Sequence, residues 1–206
     1  MSGRVRDASG LSGAILAGGG SVRLGTDKRR LTLGGAPLLV RTATTLRALV
    51  DDLVVVVAHE ADRAPVVDLL GEEVEIALDA HPGIGPVAGL ESALVTARHE
   101  LVLVVATDHP ELSIDVLTLL VARARSSMAA AVALDGPHGA EPFLAVYHRD
   151  ALATVRARVE AGARRMQDAL AALDPELVAE DEWRALDPGG RTALDVDVPD
   201  NLARFS

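Results

Sequence analysis

Short apolar runs alternate along this chain with longer stretches of helical periodicity. Six runs rich in Val, Ile, Leu and Ala lie between turn residues, which is typical of buried parallel strands; they occupy 14–17, 53–57, 74–78, 101–106, 130–134 and 144–147. Six amphipathic stretches predict helices at 37–49, 64–70, 87–98, 114–125, 150–160 and 165–173. This alternation predicts right-handed βαβ crossovers and a three-layer α/β/α fold, with a mainly parallel sheet covered on both faces.

The predicted sheet also indicates where a ligand would bind. Ligands of such sheets bind beyond the carboxyl ends of the strands, so we expect the loops that follow Ala17, Leu78 and Ala106 to converge. The stretch 174–190 has no clear periodicity, and the sequence leaves open a β-hairpin or a loop there. Because no internal repeat or linker is visible, residues 1–206 are expected to form a single domain, with residues 1–10 flexible.

Composition excludes several classes of protein. The 206 residues are 49% hydrophobic and 24% charged, with a mean hydropathy of +0.25, which suits a globular chain. The longest apolar runs reach six or seven residues, whereas a transmembrane helix needs about 20. The first ten residues contain no apolar segment of a secretory signal, and the absence of Cys excludes disulfides, thiolate zinc sites and Cys nucleophiles. We therefore expect a cytoplasmic protein without a membrane partner.

Charge is unevenly distributed along the chain. The net charge of −10 argues against a protein that coats nucleic acid. Residues 1–47 hold eight basic side chains against two acidic ones, a net of +6, so the remainder carries −16. Either this segment is a mobile basic arm or it contains an anion site. Lys28 is the only lysine beside nineteen arginines, and a compact ammonium can reach a phosphate oxygen where a planar guanidinium does not fit.

A glycine-rich loop follows the first predicted strand. The sequence AILAGGGSVRLGTDK at 14–28 runs from apolar residues through three glycines to Arg23 and Lys28. Glycines allow consecutive backbone N–H groups to face a phosphate, and the two cations add positive charge. A Walker A motif does not fit because Gly25 is not followed by Lys, and a dinucleotide fingerprint counted from Gly18 does not fit because Arg23 replaces a glycine. The alternative to an anion site is a flexible turn.

Two further loops with candidate ligands follow predicted strands. Asp79 begins the loop DAHPGIGPVAGL, which leads into a helix with Pro86 in its first turn, where the missing N–H costs nothing. This loop suits contact with a flat ring, or it is an ordinary helix start. Asp108 follows the apolar run 101–106, where a carboxylate can hold a hard divalent cation beside phosphates. A helix cap or turn is the alternative for Asp108.

These motifs together resemble a known family. The run LAGG at 16–19, with RLGTDK at 23–28 and LGGAPL at 33–38, resembles the N-terminal signature of the MobA-like nucleotidyltransferases, and within that group the molybdenum cofactor guanylyltransferases. The resemblance extends in order over nearly the whole chain. It implies a Rossmann-like nucleotidyltransferase fold and Mg²⁺ on Asp108. The implied nucleotide contacts are Leu16, Ala17, Gly18, Gly19, Gly20, Ser21, Lys28, Asp79, Gly85, Pro86, Gly89 and Asp108.

Later segments resemble the acceptor side of the same family, with departures. The segment EPFLAVY begins with Glu141, where the family has an amide or an imidazole. Arg164 and Arg165 resemble a Gly-x-Arg-Arg segment, which implies bidentate contacts to an acceptor phosphate; a solvated helix face fits the sequence equally. Asp195 and Asp197 replace asparagines of the closing segment, and alternation predicts both on one face of a strand, near metal or acceptor.

The resemblance implies transfer of GMP from GTP to molybdopterin with release of pyrophosphate, in which Arg23, Lys28 and Asp108 are catalytic. LAGG favours GTP over CTP, because the cytidylyl relatives tend to have Ala in place of Gly18. The alternatives are a cytidylyl- or sugar-phosphate nucleotidyltransferase of the same fold, and a nucleotide-binding accessory protein without transfer activity. The expected ligands are GTP, molybdopterin and Mg²⁺, with no nucleic acid partner, and the expected assembly is a monomer or weak oligomer.

Overall fold

A seven-stranded sheet and a separate two-stranded ladder form the scaffold. The computed structural model describes residues 10–18 and 28–195. The strands are β1 (Leu11–Leu16), β2 (Thr32–Leu33), β3 (Ala36–Pro37), β4 (Asp52–Val57), β5 (Glu75–Leu78), β6 (Leu101–Ala106), β7 (Ala131–Gly136), β8 (Gly139–His148) and β9 (Glu176–Val178). The helices are α1 (Leu38–Arg47), α2 (Arg63–Leu70), α3 (Pro86–Thr96), α4 (Ile114–Ser126), α5 (Leu152–Glu160), α6 (Met166–Ala171) and α7 (Glu180–Arg184). None of the described helices has both the length and the apolar character needed to span a membrane.

The large sheet has the strand order β5-β4-β1-β6-β8-β7-β9. Its first four strands are parallel: β1 pairs with β4 and with β6 through Ile15, which lies opposite Val55 and Val105, and β4 pairs with β5. Their carboxyl ends therefore lie together. We call this side of the sheet, where β1, β4, β5 and β6 end, the carboxyl edge, and the opposite side the amino edge.

Alternation along the strands separates the core into two layers. In β4, Val55 and Val57 pack on the face covered by α1, α2 and α4, whereas Val54 and Val56 face α3, α5 and α6. Both sets are buried. The predicted three-layer α/β/α architecture is confirmed, and five of the six predicted strands and all six predicted helices agree with the structure within three residues at each end.

The direction of one predicted strand is wrong. The run 144–147 is expected to be parallel, but β8 begins at Gly139 and lies antiparallel to β6 and β7. Only Pro137 and His138 separate β7 from β8, and so short a connection makes a hairpin because a parallel crossover needs a dozen or more residues. β8 therefore starts at the carboxyl edge and ends at the amino edge, where His148 lies opposite Leu101.

The irregular stretch 174–190 contains β9 and α7 rather than a hairpin or a continuous loop. β9 adds to the sheet parallel to β7. Trp183 of α7 is fully buried, and its indole N–H donates to the carbonyl of Asp135 in β7 at 2.9 Å. Five-residue α7 and three-residue β9 are too short to show a period, which is also why the ladder of β2 and β3 was not predicted.

Candidate active site

The ends of β1 and β6 are joined at the carboxyl edge. The backbone N–H of Ala17 donates to Val56 at 2.8 Å, and both the N–H and the hydroxyl of Thr107 approach the carbonyl of Leu16, at 3.4 and 3.3 Å. The loops predicted to converge, after Ala17, Leu78 and Ala106, therefore start at one edge of the sheet, and residues 19–27 of the first loop lie outside the described residues. The side chains of Leu16 and Ala17 are buried, so any contact these residues make with a nucleotide uses their backbone.

The glycine-rich loop leaves β1 at Gly18. A Cβ there would lie 3.2 Å from the backbone nitrogen of Ala58, so the exposed backbone of Gly18 runs close to the chain that follows β4. The side chain of Lys28 lies outside the described part of the structure, although its backbone begins a 3-10 turn over Lys28–Arg30. Four predicted site residues of the loop lie outside the described residues: Gly19, Gly20, Ser21 and Arg23.

The two arginines after Lys28 are held by carboxylates. Arg29 donates from Nη2 to Oδ1 of Asp62 at 2.7 Å, with side chains only 13% and 22% exposed, and the other oxygen of Asp62 accepts the His59 N–H. Arg30 pairs with Asp68 at 3.3 Å on the surface. Part of the basic charge of residues 1–47 is therefore used to fix the turn at the end of the glycine-rich loop.

The loop 79–85 follows β5 and is tied to the sheet and to α3. The N–H of Asp79 donates to Val57 at 2.8 Å, and its Oδ1 accepts the N–H of His81 at 2.8 Å. The N–H of Ala80 donates to the hydroxyl of Ser92 in α3 at 3.2 Å. Asp79 is therefore placed at the carboxyl edge, with one of its oxygens occupied in a local turn.

Gly85 brings this loop against the predicted acceptor segment. Its φ is +123°, and a Cβ would lie 2.9 Å from the carbonyl oxygen of Arg164. Pro86 occupies the first turn of α3, as the sequence predicts. Arg164 and Arg165 are exposed, and Arg165 precedes α6 directly. The structure therefore brings the predicted nucleotide loop and the predicted acceptor arginines into one region.

Gly89 lies beneath this region rather than on its surface. It is buried in α3, and a Cβ would meet side-chain carbons of Leu16 at 3.7 Å and of Val56 at 3.8 Å. These are ordinary packing distances. A Cβ would therefore fit at position 89, and Gly89 belongs to the packing of α3 on β1 and β4 rather than to the exposed surface of the site.

Carboxylates from three segments lie at the carboxyl edge. Asp108 is half-buried in the turn after β6, and Glu141 lies near the start of β8, three residues before Leu144, which pairs with Val105. Burial raises the pKa of Glu141, the charge of Asp195 raises it further, and His138 opposes both. The two departures from the family pattern, Glu141 and Asp195, are therefore near each other; Asp197 lies outside the described residues.

The segment leading to Asp195 is held by a partly buried polar network. Oδ2 of Asp187 accepts both the N–H and the hydroxyl of Thr192 at 2.8 Å, and the Thr192 hydroxyl accepts the N–H of Ser113 at 3.1 Å. Burial alone raises the pKa of Asp187, but the hydrogen bonds from Thr192, with help from Arg191 and Arg184, lower it below the ordinary value. This network fixes the segment beside the start of α4.

One group in the described chain has the spacing of metal ligands. Glu100, His148 and Asp150 offer atoms within 4.8 Å of one another. Nδ1 of His148 accepts the Asp150 N–H at 3.1 Å, and its Nε2 lies 3.8 Å from Glu100. Because Glu100 precedes β6 and His148 ends β8, the group lies at the amino edge, across the sheet from Asp108.

Comparison with known proteins agrees with this geometry. The profile of the MobA-like NTP transferase domain matches residues 13–176. The chain belongs to the MobA-like NTP transferase family. It is 37% identical to a probable molybdenum cofactor guanylyltransferase of Chloroflexus aggregans over 93% of this chain and 91% of that one, and 36% identical to one of Opitutus terrae over 86% and 90%.

A solved structure has the same fold. The crystal structure of molybdopterin-guanine dinucleotide biosynthesis protein A from Archaeoglobus fulgidus superposes with a TM-score of 0.82 at 24% identity, covering 94% of this chain and 96% of that one. This MobA-like chain is therefore a nucleotidyltransferase by family, with a mainly parallel central sheet flanked by helices.

Sequence reasoning missed the residues of this MobA-like chain that support the site without facing it. Thr107, Ser92 and Thr192 each use a buried hydroxyl to join two segments. The sequence around each of them carries no motif that marks a structural hydroxyl, and nothing in the sequence pairs them with distant partners. Their role appears only when the topology brings those partners together.

Proposed function

We propose that this chain transfers GMP from GTP to the terminal phosphate of molybdopterin and releases pyrophosphate. The observation that carries the proposal is the meeting of three segments at the carboxyl edge: the start of the glycine-rich loop at Gly18, the loop 79–85, and the turn holding Asp108. The choice of these substrates is supported by the relatives named as molybdenum cofactor guanylyltransferases. The parallel strands below supply a rigid base for all three segments.

The reaction needs positioning and charge neutralisation more than proton transfer. A phosphate monoester is already an anion at neutral pH, so one of its oxygens can attack the α-phosphorus of GTP without a general base. The bond between the α-phosphorus and the bridging oxygen breaks, and the electron pair leaves with pyrophosphate. In-line alignment and stabilisation of the developing charge are then the main requirements.

Residues of the chain have separate parts in this proposal. Backbone N–H groups of 18–21 hold the triphosphate, in keeping with the glycines there. Arg23 and Lys28 stabilise the departing pyrophosphate. Arg164 and Arg165, which are exposed next to Gly85, hold the acceptor phosphate.

A divalent cation fits the oxygen donors at this edge, and we propose Mg²⁺. Asp108 is half-buried and placed after the central strand β6. Mg²⁺ is commonly bound by one or two carboxylates, with substrate phosphates and water completing the shell, so Asp108 with the triphosphate is a sufficient set of ligands. When bound, the ion supplies neutralisation of charge on the reacting phosphates.

The preferred nucleotide, the cellular location and the oligomeric state are also part of the proposal. We favour GTP over CTP because Gly18 has no side chain and its backbone is exposed. The net charge of −10 agrees with small-molecule substrates rather than nucleic acid. We propose that the chain acts in the cytoplasm as a monomer or weak oligomer, without a membrane partner.

Thermal unfolding with each of GTP, CTP, ATP and UTP, with and without Mg²⁺, tests nucleotide choice first. Ligand at about 100 times Kd stabilises a protein by roughly 2.7 kcal/mol, which corresponds to a shift of several degrees at this size. We expect a Mg²⁺-dependent shift with GTP alone, followed by pyrophosphate release when molybdopterin is added. A shift with CTP alone supports a cytidylyltransferase, and GTP binding without pyrophosphate release supports an accessory protein.

A further inference from the structure

Glu91 is a buried carboxylate in an otherwise apolar or small-residue part of α3. Residues 87–94 of this helix are all buried, and Glu91 is their only charged member, with 6% of its surface exposed. Removing a carboxylate from water is costly unless charges and hydrogen bonds compensate it. The contacts of Glu91 therefore indicate what this position is used for.

The two carboxylate oxygens of Glu91 have different surroundings. Oε1 accepts a hydrogen bond from Nε of Arg156 in α5 at 2.8 Å. Oε2 is buried and has no hydrogen-bond partner among the described residues, but it lies 3.8 Å from Nε2 of His81. His81 belongs to the loop 79–85 and is half exposed. The second oxygen is thus directed at the loop rather than into the core.

This arrangement is poor for stability alone. Arg156 is half exposed and would remain hydrated without Glu91, whereas an apolar side chain at position 91 would avoid both the desolvation of the charge and the unpaired oxygen. A carboxylate at this position serves the fold less well than leucine would. We therefore expect the Glu91 carboxylate to serve the groups that it contacts rather than the stability of the fold.

Glu91 connects the elements that meet at the carboxyl edge. The adjacent residue, Ser92, holds the N–H of Ala80, so two consecutive side chains of α3 reach the same loop. Arg156 lies on α5, which leads into the turn whose Arg164 carbonyl contacts the Gly85 position. Glu91 thus lies between the loop and the helix that delivers the acceptor arginines.

We propose that Glu91 is a positioning residue for nucleotide binding, acting through His81. Nε2 of His81 faces the Glu91 carboxylate at 3.8 Å, which leaves Nδ1 for a polar group of the nucleotide. Glu91 fixes the imidazole and, with Ser92, the loop that carries it. This inference rests on the proposed function, because it assumes that the loop 79–85 contacts the nucleotide.

The test compares Glu91→Leu with wild type in binding, turnover and stability. We expect the Kd and KM for GTP to rise about tenfold, as when a partner of a buried charged group is removed, with kcat changed less than about twofold and Tm equal to or above that of wild type. His81→Ala should show the same loss, and the double variant no further loss. The proposal is overturned if Glu91→Leu binds GTP as tightly as wild type. It is also overturned if Tm falls so far that partial unfolding explains the weaker GTP binding.

Two further variants keep the test decisive. Glu91→Gln preserves shape if Glu91→Leu fails to fold, and it should weaken GTP binding in the same direction. Glu182→Gln breaks another pair between two helices, Glu182 of α7 with Arg123 of α4 at 2.6 Å, which is more exposed and far from the loop 79–85 in sequence. It should leave GTP binding unchanged. Equal effects of the two Gln variants on GTP binding would overturn the proposal.

Hydrogen exchange of the ligand-free protein separates this inference from the proposed function. In Glu91→Gln the amides of 79–85 should exchange faster than in wild type, and unchanged exchange contradicts the link between Glu91 and the loop. If wild type binds no nucleotide, the proposed function fails and the role in nucleotide binding fails with it. Faster exchange would then still establish the contact between Glu91 and the loop.

Discussion

The carbonyl oxygen of Arg164 lies 2.9 Å from the point where a side chain on Gly85 would begin. The loop proposed to contact the nucleotide and the turn proposed to hold the acceptor are therefore in direct contact through their backbones. Movement of either segment changes the other. This contact gives a way to test whether the two proposed subsites act together.

Gly85→Ala should destabilise the protein and weaken GTP binding. The new Cβ meets the Arg164 carbonyl, and φ of +123° is unfavourable for alanine. Together these effects should cost about 2–3 kcal/mol, or about 4–12 °C in Tm for a chain of this size. Gly83→Ala is the matched control, because φ there is +91° but nothing lies within 4 Å. Equal losses in the two variants would show that contact with Arg164 is unimportant.

Lys28→Ala and Asp108→Ala should each lower turnover by about 10² or more, if each group supplies roughly 3 kcal/mol of transition-state stabilisation. Steady-state kinetics of pyrophosphate release measures the effect. Arg30→Ala serves as control, since Arg30 forms a surface pair with Asp68 and should keep its activity. A folded Lys28 or Asp108 variant with full activity would refute the catalytic assignment.

The pair between Arg29 and Asp62 should contribute measurably to stability. Both side chains are less than a quarter exposed and their atoms are 2.7 Å apart, so a double-mutant cycle by urea unfolding should give a coupling of about 1–2 kcal/mol. The surface pair of Arg30 and Asp68 should give about 0.2–0.5 kcal/mol. Comparable coupling in both pairs would mean that burial does not strengthen the first.

Glu141→Gln should stabilise the protein, and more so at neutral than at acidic pH. Burial and Asp195 raise the pKa of Glu141 above its ordinary value of 4.5. The protonated carboxyl therefore favours the folded state, and this contribution is lost as pH rises through the folded pKa. Urea unfolding at pH 4, 5.5 and 7 measures the difference, which we expect to stay below about 1 kcal/mol because water screens the half-exposed group.

The matched control for this change is Glu75→Gln, an exposed glutamate in β5, which reports the effect of amide substitution itself. An advantage of Glu141→Gln that shrinks as the pH rises would contradict the expected direction of the pKa shift. Such a result would mean that a positive charge near Glu141 outweighs Asp195 and burial.

Local patterns were sufficient to predict most of the scaffold. Apolar runs such as Leu101–Ala106 are buried on both faces, so composition alone marks them as interior strands. The direction of β8 could not be predicted in the same way, because a run of apolar residues looks the same in a parallel and in an antiparallel strand. The two-residue connection before Gly139 was the available signal, and it outweighs the alternation of strands and helices elsewhere.

In the candidate site, too, some features could be predicted from the sequence and others could not. The glycine-rich loop, Asp79 and Asp108 follow strand ends, so their convergence at one edge follows from the sheet alone. Glu91 contacts His81 and Arg156, which are 10 and 65 residues away. Such contacts depend on how α3 and α5 pack, and no local pattern contains that information.

The reversal of β8 determines which way the next helix travels. Because β8 ends at the amino edge, α5 runs back toward the carboxyl edge, where β1 and β6 end. The turn 161–165 that follows α5 therefore lies next to Gly85. A parallel strand at this place would have sent α5 in the opposite direction and left both arginines on the wrong side of the molecule. The hairpin therefore places the turn that carries both arginines at the same edge of the sheet as the loop proposed to contact the nucleotide.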